Sequence, residues 1–276
     1  MARILILGGS GLLGRALQRR ERAGDEVSFT HHRNPRAGSL DYDLRSTFKI
    51  PEGAWDVVIC SMPLAKILME TDKPRERARD LLSSFGAAKA VLLSTDAVFS
   101  GRHGNYREDS PTDPITDYGR AQAALDEAFL VQCPAGLVVR TSFLFGGRAP
   151  HFDKRLGPLL AGAVSSAEQR WPENIFRSPT EVDFCAEAIW RCIERGRRGV
   201  MNVCGERMSI RQFFTTALSL RGEFSPPPPY VETRPDVAID TSLDPGIMET
   251  QLGIDRAMGW AWYRQTPAAG GIADVL

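Results

Sequence analysis

Disulfides and metal sites have little basis in this sequence, because its cysteines and histidines are few and scattered. The 276 residues include five cysteines and four histidines, and no two cysteines form a Cys-x-x-Cys pair. The cysteines stand in apolar surroundings, where free thiols act as small core side chains. His31 and His32 are adjacent, so a regular strand would turn them to opposite faces and away from a shared ion. We therefore expect neither disulfides nor a metal site.

The sequence also lacks a charge excess and long apolar runs. Lys+Arg and Asp+Glu both number 34, so no overall basic field attracts nucleic acid or an anionic membrane. No apolar run approaches the length of a membrane span, and no basic, apolar leader precedes the first predicted strand. We therefore expect a cytoplasmic protein that binds neither nucleic acid nor membrane. Its length suffices for one large domain or a domain plus a lobe.

A glycine-rich turn near the N-terminus is the strongest local signal. The apolar residues 4–7 are followed directly by the stretch Gly8-Gly9-Ser10-Gly11-Leu12-Leu13-Gly14. Apolar positions after Gly11 recur at helical spacing, which predicts that the glycines connect a strand to a helix. Glycines in this context allow a tight turn and the close approach of a pyrophosphate to the helix N-terminus. The stretch therefore predicts a dinucleotide site, and a glycine turn of an unrelated α/β protein is the alternative.

The end of the second predicted strand, residues 26–30, indicates which dinucleotide binds. An Asp or Glu about 20 residues beyond the glycines binds a ribose 2′-hydroxyl, whereas a basic residue there accommodates a 2′-phosphate. Here the strand ends in Thr30-His31-His32-Arg33, without an acid. The sequence therefore favours NADP(H) over NAD(H), with His32 and Arg33 at the cofactor. A solvated loop cation is the alternative interpretation of Arg33.

Further segments predict a parallel sheet with helices between its strands. Residues 40–44, 55–60 and 90–94 predict the third, fourth and fifth strands, and residues 64–85 predict one helix. Ligands of such sheets bind beyond the carboxyl ends of the strands, so Asp96 is expected to face the substrate. For the same reason we expect a further group of residues along the cofactor: Asp43, Leu44, Cys60, Ser61, Met62 and Pro63.

Motifs over nearly the whole chain resemble a known family. In order, they are Ser94-Thr95-Asp96-Ala97-Val98-Phe99-Ser100-Gly101, Tyr106-x-Glu108-Asp109-x-Pro111, Tyr118-Gly119, Arg140-Thr141-Ser142-Phe143, Ser178-Pro179-Thr180, Gly199-Val200-Met201-Asn202-Val203 and Arg234-Pro235. This ordered set resembles the extended short-chain dehydrogenase/reductases, and within them it is most similar to the dTDP-4-dehydrorhamnose reductase branch. The set is far more specific than any single motif.

The resemblance implies a doubly wound α/β fold, a Rossmann domain with a parallel sheet and a smaller C-terminal substrate lobe. We expect the NADP-binding domain at 1–147 and the lobe at 148–276, with part of about 180–205 returning to the nucleotide domain. Four consecutive prolines at 226–229 predict a stiff, extended surface connector. The Gly/Ala-rich tail after Pro267 is expected to fray.

The resemblance also implies roles for individual residues. Thr95 would hydrogen-bond the substrate carbonyl, and Tyr118 would pass it a proton. The family's catalytic lysine, four residues after the tyrosine, holds the nicotinamide ribose and lowers the tyrosine pKa; here that position is Gln122. Its amide can donate to a ribose oxygen but carries no charge. Ala97 stands where the branch usually has an aromatic residue, and Phe143 stands where it usually has tryptophan. Both departures affect which substrate is expected more than they affect the fold.

These residues together predict NADPH-dependent reduction of a keto group on a nucleotide-activated sugar or a similar polar metabolite. A neutral Tyr118 is already the acid that reduction needs, whereas oxidation needs its anion, so Gln122 should impair oxidation more than reduction. One alternative is a regulatory protein that binds the dinucleotide without turnover, as the regulatory beta subunit of methionine adenosyltransferase does within the same family. Another is a lyase or epimerase. The exact substrate and the oligomeric state stay open, a homodimer being one option.

Overall fold

The computed structural model describes residues 1–146, 156–160, 170–222 and 226–265. The strands are β1 (Arg3–Leu7), β2 (Glu26–His31), β3 (Leu40–Asp41), β4 (Val57–Cys60), β5 (Lys89–Thr95), β6 (Leu137–Thr141), β7 (Leu144–Phe145), β8 (Phe176–Arg177), β9 (Thr180–Glu181), β10 (Gly199–Asn202) and β11 (Met208–Ser209). The helices are α1 (Leu12–Arg19), α2 (Leu64–Met69), α3 (Pro74–Ser83), α4 (Asp117–Gln132), α5 (Gly157–Leu160), α6 (Val182–Glu194), α7 (Ile210–Ser219), α8 (Gly246–Leu252) and α9 (Met258–Gln265). A 3₁₀ turn covers Asp96–Val98.

Seven strands form one parallel sheet in the order β10-β6-β5-β4-β1-β2-β3. The inner strand β1 is apolar from Ile4 to Leu7 because both of its faces are covered. Ile4 and Ile6 pack with α1 and α6 on one face, whereas Leu5 and Leu7 pack with α2, α3 and α4 on the other. Alternating side chains that are all buried are typical of a parallel strand between two helical layers. The predicted doubly wound α/β fold is confirmed.

Two predicted elements differ in the structure. The single helix predicted over residues 64–85 is wrong: α2 ends at Met69, and α3 begins at Pro74. Proline has no N–H to donate and fits the first turn of a helix, so Pro74 starts a new helix instead of continuing the old one. The third strand is also shorter than predicted, because the Asp43 carbonyl accepts hydrogen bonds from the backbone of Ser46 and Thr47 and turns the chain.

The C-terminal half contributes to both parts of the molecule. Strand β10 pairs with β6 in the main sheet, and α6 packs on α1, where the Trp190 indole N–H donates to the Leu17 carbonyl at 3.0 Å. A separate aromatic cluster contains Phe145, Trp171 and Phe213 with residues of α9. The predicted domain boundary at 147/148 and the predicted tail after Pro267 lie outside the described residues. The division into domains stays a prediction.

Candidate active site

The glycine turn between β1 and α1 is packed so closely that side chains would not fit. A Cβ at Gly14 would lie 2.4 Å from the Gly8 carbonyl oxygen, and one at Gly9 would lie 2.5 Å from the Phe29 Cβ. Gly8 has φ +82°, in the region that favours glycine. The Gly11 N–H donates to the Gly8 carbonyl at 3.0 Å. Helix α1 therefore begins directly against the end of β1.

A cavity of about 220 Å³ opens beside this turn, at the carboxyl ends of β1, β2 and β4. Nine residues predicted at the cofactor line it: Gly8, Ser10, Gly11, His32, Asp43, Leu44, Ser61, Met62 and Pro63. Seven others do not, and three of these, Arg33, Tyr118 and Gln122, are described below. Leu13, Gly14 and Cys60 are buried and Leu12 packs against the core, so these four shape the turn and strand behind the cavity.

Five lining residues were not predicted at the cofactor: Thr30, His31, Tyr42, Arg45 and Ile67. Each lies within four positions of a residue that was predicted at the cofactor. Closeness in sequence to those residues was the signal that could have identified them. Thr30 has an evident structural role, since its hydroxyl accepts the Gly8 N–H at 2.9 Å and ties β2 to the glycine turn. Arg33 is exposed and lies outside the cavity lining.

Tyr42 brings a buried polar atom to the cavity. Its side chain is 5 % exposed, and its hydroxyl has no hydrogen-bond partner among the described residues. Burial raises the pKa of Tyr42 above its usual range, so the hydroxyl keeps its proton. Burial also raises the pKa of the Cys60 thiol to about 12, which leaves Cys60 unreactive at neutral pH.

Helix α4 brings Tyr118 to the end of β5. The Thr116 hydroxyl caps the helix by accepting the Gly119 N–H at 3.0 Å. A Cβ at Gly119 would lie 2.1 Å from the Ala97 carbonyl oxygen, so only glycine lets α4 pack this closely on the 3₁₀ turn after Thr95. Tyr118 is half-buried, and no described residue hydrogen-bonds its hydroxyl. Burial, and then the negative charges of Asp96 and Asp126, raise the pKa of Tyr118.

Thr95 and Asp96 are held by their neighbours. The Thr95 hydroxyl accepts the Ala97 N–H at 3.2 Å and donates to Asp96 Oδ1 at 3.1 Å. The other oxygen, Asp96 Oδ2, accepts the hydroxyls of Ser142 at 2.7 Å and Thr241 at 2.9 Å. Asp96 therefore ties the end of β5 to β6 and to the C-terminal segment, whether or not it also contacts substrate.

Two residues missed in the sequence complete this cluster. Arg177 Nε lies 3.8 Å from Asp96 Oδ2, and the guanidinium donates to the carbonyls of Ala238 and Ile239. Thr241, the second, is 145 residues from Asp96, and no local pattern could have joined them. Phe143 is partly exposed, with its ring 6.0 Å from the Arg177 guanidinium. Arg177 thus connects the predicted substrate residues Asp96 and Phe143.

Gln122 is 2 % exposed on the same face of α4 as Tyr118, and Asp126, one turn further on, is 3 % exposed. Gln122 Nε2 donates to Asp126 Oδ1 at 2.9 Å, and the Ser94 hydroxyl donates to Asp126 Oδ2 at 2.6 Å. Arg140 Nε lies 3.9 Å from the same Oδ2. Burial raises the pKa of Asp126, and its hydrogen bonds and Arg140 act in the opposite direction.

Lys89 does not take the place of the missing lysine. Lys89, at the opposite end of β5, donates to the Ile193 carbonyl at 3.2 Å and so binds the end of α6. Within the described part of the chain, no group of three or more His, Cys, Asp and Glu side chains could hold a metal ion. Across those same ranges, no helix combines the length and apolarity of a bilayer span.

Comparison with known proteins agrees with this geometry. The family described as the RmlD substrate binding domain matches residues 82–215. The dTDP-4-dehydrorhamnose reductase of Streptomyces griseus is 35% identical over 163 residues, which are 54% of this chain and 52% of the relative. The chain thus spans about half the length of that relative. The Bacillus subtilis spore coat polysaccharide biosynthesis protein SpsK is 28% identical over 79% of this chain and 78% of its own length.

Among solved structures, the dTDP-4-dehydrorhamnose reductase of Bacillus anthracis, in complex with NADP, has the same fold. It is 18% identical with a TM-score of 0.72, over 95% of this chain and 98% of its own. The chain therefore has the fold of the dTDP-4-dehydrorhamnose reductase structures. Its resemblance to that branch of the extended short-chain dehydrogenase/reductases, which the sequence motifs indicated, is confirmed.

Proposed function

We propose that the protein is an NADPH-dependent reductase of a keto group on a nucleotide-activated sugar. The observation that carries the proposal is the placement of Tyr118, which α4 holds at the carboxyl end of β5 with a hydroxyl that no described residue binds. The names of relatives support the substrate class, because the Streptomyces griseus protein is a dTDP-4-dehydrorhamnose reductase. We expect a dTDP-linked 4-keto sugar to be the first candidate.

The residues at the cavity fit a dinucleotide. The turn at Gly8 and Gly11 leaves backbone accessible where side chains would block a pyrophosphate, and the Tyr42 hydroxyl is a buried polar atom in need of a partner. His32 and Arg33 follow β2 without an Asp or Glu next to them in sequence, and the carboxylate that stands nearby is that of Asp43, whose Oδ1 lies 3.8 Å from His32 Nδ1. When bound, NADPH supplies the hydride, and the Bacillus anthracis structure contains NADP.

The chain's own residues then act on the carbonyl oxygen. Because burial and nearby carboxylates raise its pKa, Tyr118 holds its proton at neutral pH and can donate it as the oxygen gains electrons. The Thr95 hydroxyl has one proton, now donated to Asp96, so it must rotate to donate to substrate. The ring of Phe143, above Arg177, gives the lobe an apolar surface against which a sugar could pack.

A regulatory protein that binds the dinucleotide without turnover is the second candidate, and Gln122 is the observation that favours it. Without the lysine charge the tyrosine pKa is not lowered, and one element of catalysis is absent. The fold and the cavity are the same under both proposals. Turnover alone separates them.

The experiment is a spectrophotometric assay of NADPH consumption against a panel of dTDP-linked 4-keto-6-deoxy sugars, with Tyr118→Phe beside the wild type. We expect turnover by the wild type and a loss of about 10² or more in Tyr118→Phe, with NADPH affinity nearly unchanged. Absence of turnover with every sugar, while NADPH still binds, would favour the regulatory protein. Equal rates in both proteins would show that the proton comes from another group.

A further inference from the structure

The side-chain amide of Gln122 has a defined direction in this structure. Its two ends are alike in shape, and only hydrogen-bond partners distinguish the nitrogen from the oxygen. The end nearest Asp126 lies 2.9 Å from Oδ1. Burial raises the pKa of Asp126, but the Ser94 hydroxyl at 2.6 Å and Arg140 at 3.9 Å both favour its ionised form, which only accepts hydrogen bonds. The nitrogen must therefore face Asp126.

Asp126 is itself held in place. The Ser94 hydroxyl donates to its second oxygen at 2.6 Å, so the carboxyl group is bound from both sides, by β5 and by α4. Both Gln122 and Asp126 are almost completely buried, and a buried carboxylate that lost its donor would be costly. Turning the Gln122 amide would place its oxygen against a carboxylate oxygen. The network thus opposes rotation of the amide.

We propose that Asp126 is a positioning residue that orients Gln122 with its amide oxygen as the group offered to the cofactor, so that this position accepts a hydrogen bond where the family's lysine donates one. The inference rests on the proposed function, since it assumes that the position contacts the nicotinamide ribose. The Gln122 oxygen has no hydrogen-bond partner among the described residues. A ribose hydroxyl, which can donate or accept, would bind it as a donor. The sequence alone predicted that the Gln122 amide donates to a ribose oxygen, and the present proposal is the alternative to that prediction.

The test compares the affinities of two ligands, measured by titration calorimetry. NADP⁺ carries the nicotinamide ribose, whereas adenosine 2′,5′-bisphosphate lacks it, so the ratio of their dissociation constants isolates contacts to the nicotinamide half. The first variant is Gln122→Met, which removes the amide group but keeps a side chain of similar length. The second is Asp126→Asn, whose amide can pair with either end of the Gln122 amide. Ser94→Ala is the matched control, because it removes a different ligand of the same carboxyl group.

We expect Gln122→Met to lower the preference for NADP⁺ by about fivefold, the ordinary effect of one hydrogen bond, and Asp126→Asn, which permits both orientations of the Gln122 amide, to lower it by a smaller factor. Ser94→Ala should leave the preference unchanged, although it lowers thermal stability. An unchanged preference in Gln122→Met would overturn the ribose contact, and an unchanged preference in Asp126→Asn alone would overturn the positioning role. A wild type that bound neither ligand would overturn the proposed function and this inference with it.

A second measurement does not depend on how well Asp126→Asn folds. In the NMR spectrum of the wild type, the Nε2 protons of Gln122 can be assigned by their absence from Gln122→Met. Because the nitrogen stays bonded to Asp126, these protons should exchange slowly with solvent and shift little when NADP⁺ binds. Fast exchange, or a large shift on binding, would show that the nitrogen faces the cofactor and would overturn the inference.

Discussion

Gly14 packs directly on Gly8, so that a Cβ at Gly14 would lie 2.4 Å from the Gly8 carbonyl oxygen. At Gly11 the same oxygen would be 3.3 Å from an added Cβ, a contact that a small shift relieves. Glycine is thus required at these two positions of one motif for different physical reasons. Gly14 allows the helix to meet the strand, whereas Gly11 keeps the approach to the helix N-terminus open.

Gly14→Ala is therefore expected to destabilise the fold and Gly11→Ala is not. The alanine at 14 forces α1 away from β1, a change of the overpacking type that costs about 1–3 kcal/mol. The alanine at 11 should leave the melting temperature nearly unchanged and weaken dinucleotide binding instead. Thermal denaturation and calorimetry of both variants give the comparison. Equal melting temperatures for the two would contradict the packing argument.

Cofactor preference is the second prediction. NADPH should bind at least tenfold more tightly than NADH, a difference of about 1.4 kcal/mol, because no acid follows β2 and Arg33 is exposed there. Arg33→Ala should remove most of the difference. Arg79→Ala, an exposed arginine on α3, is the matched control and should change nothing. Titration calorimetry with both dinucleotides measures the effect, and equal affinities in the wild type would refute the prediction.

Local patterns in the sequence predicted the sheet and the glycine turn because both depend on neighbouring residues. The apolar run at Ile4–Leu7 and the glycines after it could be recognised without any distant partner. Tyr118 and Gln122 were placed on one helix face by their spacing. The break before Pro74 was visible in the sequence as well, but the long charged pattern on either side was interpreted as one helix.

Contacts between distant segments could not be predicted. Nothing near Asp96 in sequence indicates that Arg177 and Thr241 would bind it, and nothing near Tyr42 indicates a buried hydroxyl without a partner. The hydrogen bond from Gln122 to Asp126 is different. Its spacing of four residues was available, but the sequence did not reveal that both side chains are buried, and burial is what fixes the amide.

Tyr42→Phe should separate cofactor binding from folding. Its buried hydroxyl has no partner among the described residues, so removing it should not lower the melting temperature of the free protein. If the hydroxyl binds the dinucleotide, NADP⁺ affinity should fall about fivefold.

The matched control for Tyr42→Phe is Tyr106→Phe. The Tyr106 hydroxyl accepts the N–H groups of Gly101 and Arg102 at 3.2 and 3.1 Å, so its loss should lower the melting temperature and leave NADP⁺ affinity intact. Thermal denaturation and calorimetry test both variants. An unaltered NADP⁺ affinity in Tyr42→Phe would mean that the hydroxyl faces away from the ligand.

The pH dependence of reduction follows from Tyr118. Its protonated form is the acid, and its pKa is raised, so the reductive kcat/KM should stay flat through neutral pH. It should fall only as the pH rises through a value above the usual tyrosine pKa of about 10. Steady-state rates between pH 6 and the alkaline limit of stability test this. A descending limb near pH 7 that Tyr118→Phe abolishes would contradict the raised pKa.

Restoring the family's residue with Gln122→Lys tests the enzyme against its regulatory alternative. The ammonium would stand one turn from Tyr118 and beside Asp126, where it can reach the ribose and favour the phenolate. We expect oxidation of a cognate alcohol to rise by more than reduction at saturating ligands. Because the overall equilibrium is unchanged, altered binding of substrate, product or cofactor must match the gain.

The wild type and Gln122→Lys are compared through NADPH absorbance with a panel of keto sugar nucleotides and through NADP⁺ reduction with the corresponding alcohols. An enzyme adapted to glutamine should reduce its substrate before the change and gain little in reduction from it. A regulatory descendant should show no activity in either form, since other parts of its site would have changed too. If both proteins stay inactive while the dinucleotide still binds, the reductase proposal fails, and binding without turnover becomes the function that this fold performs here.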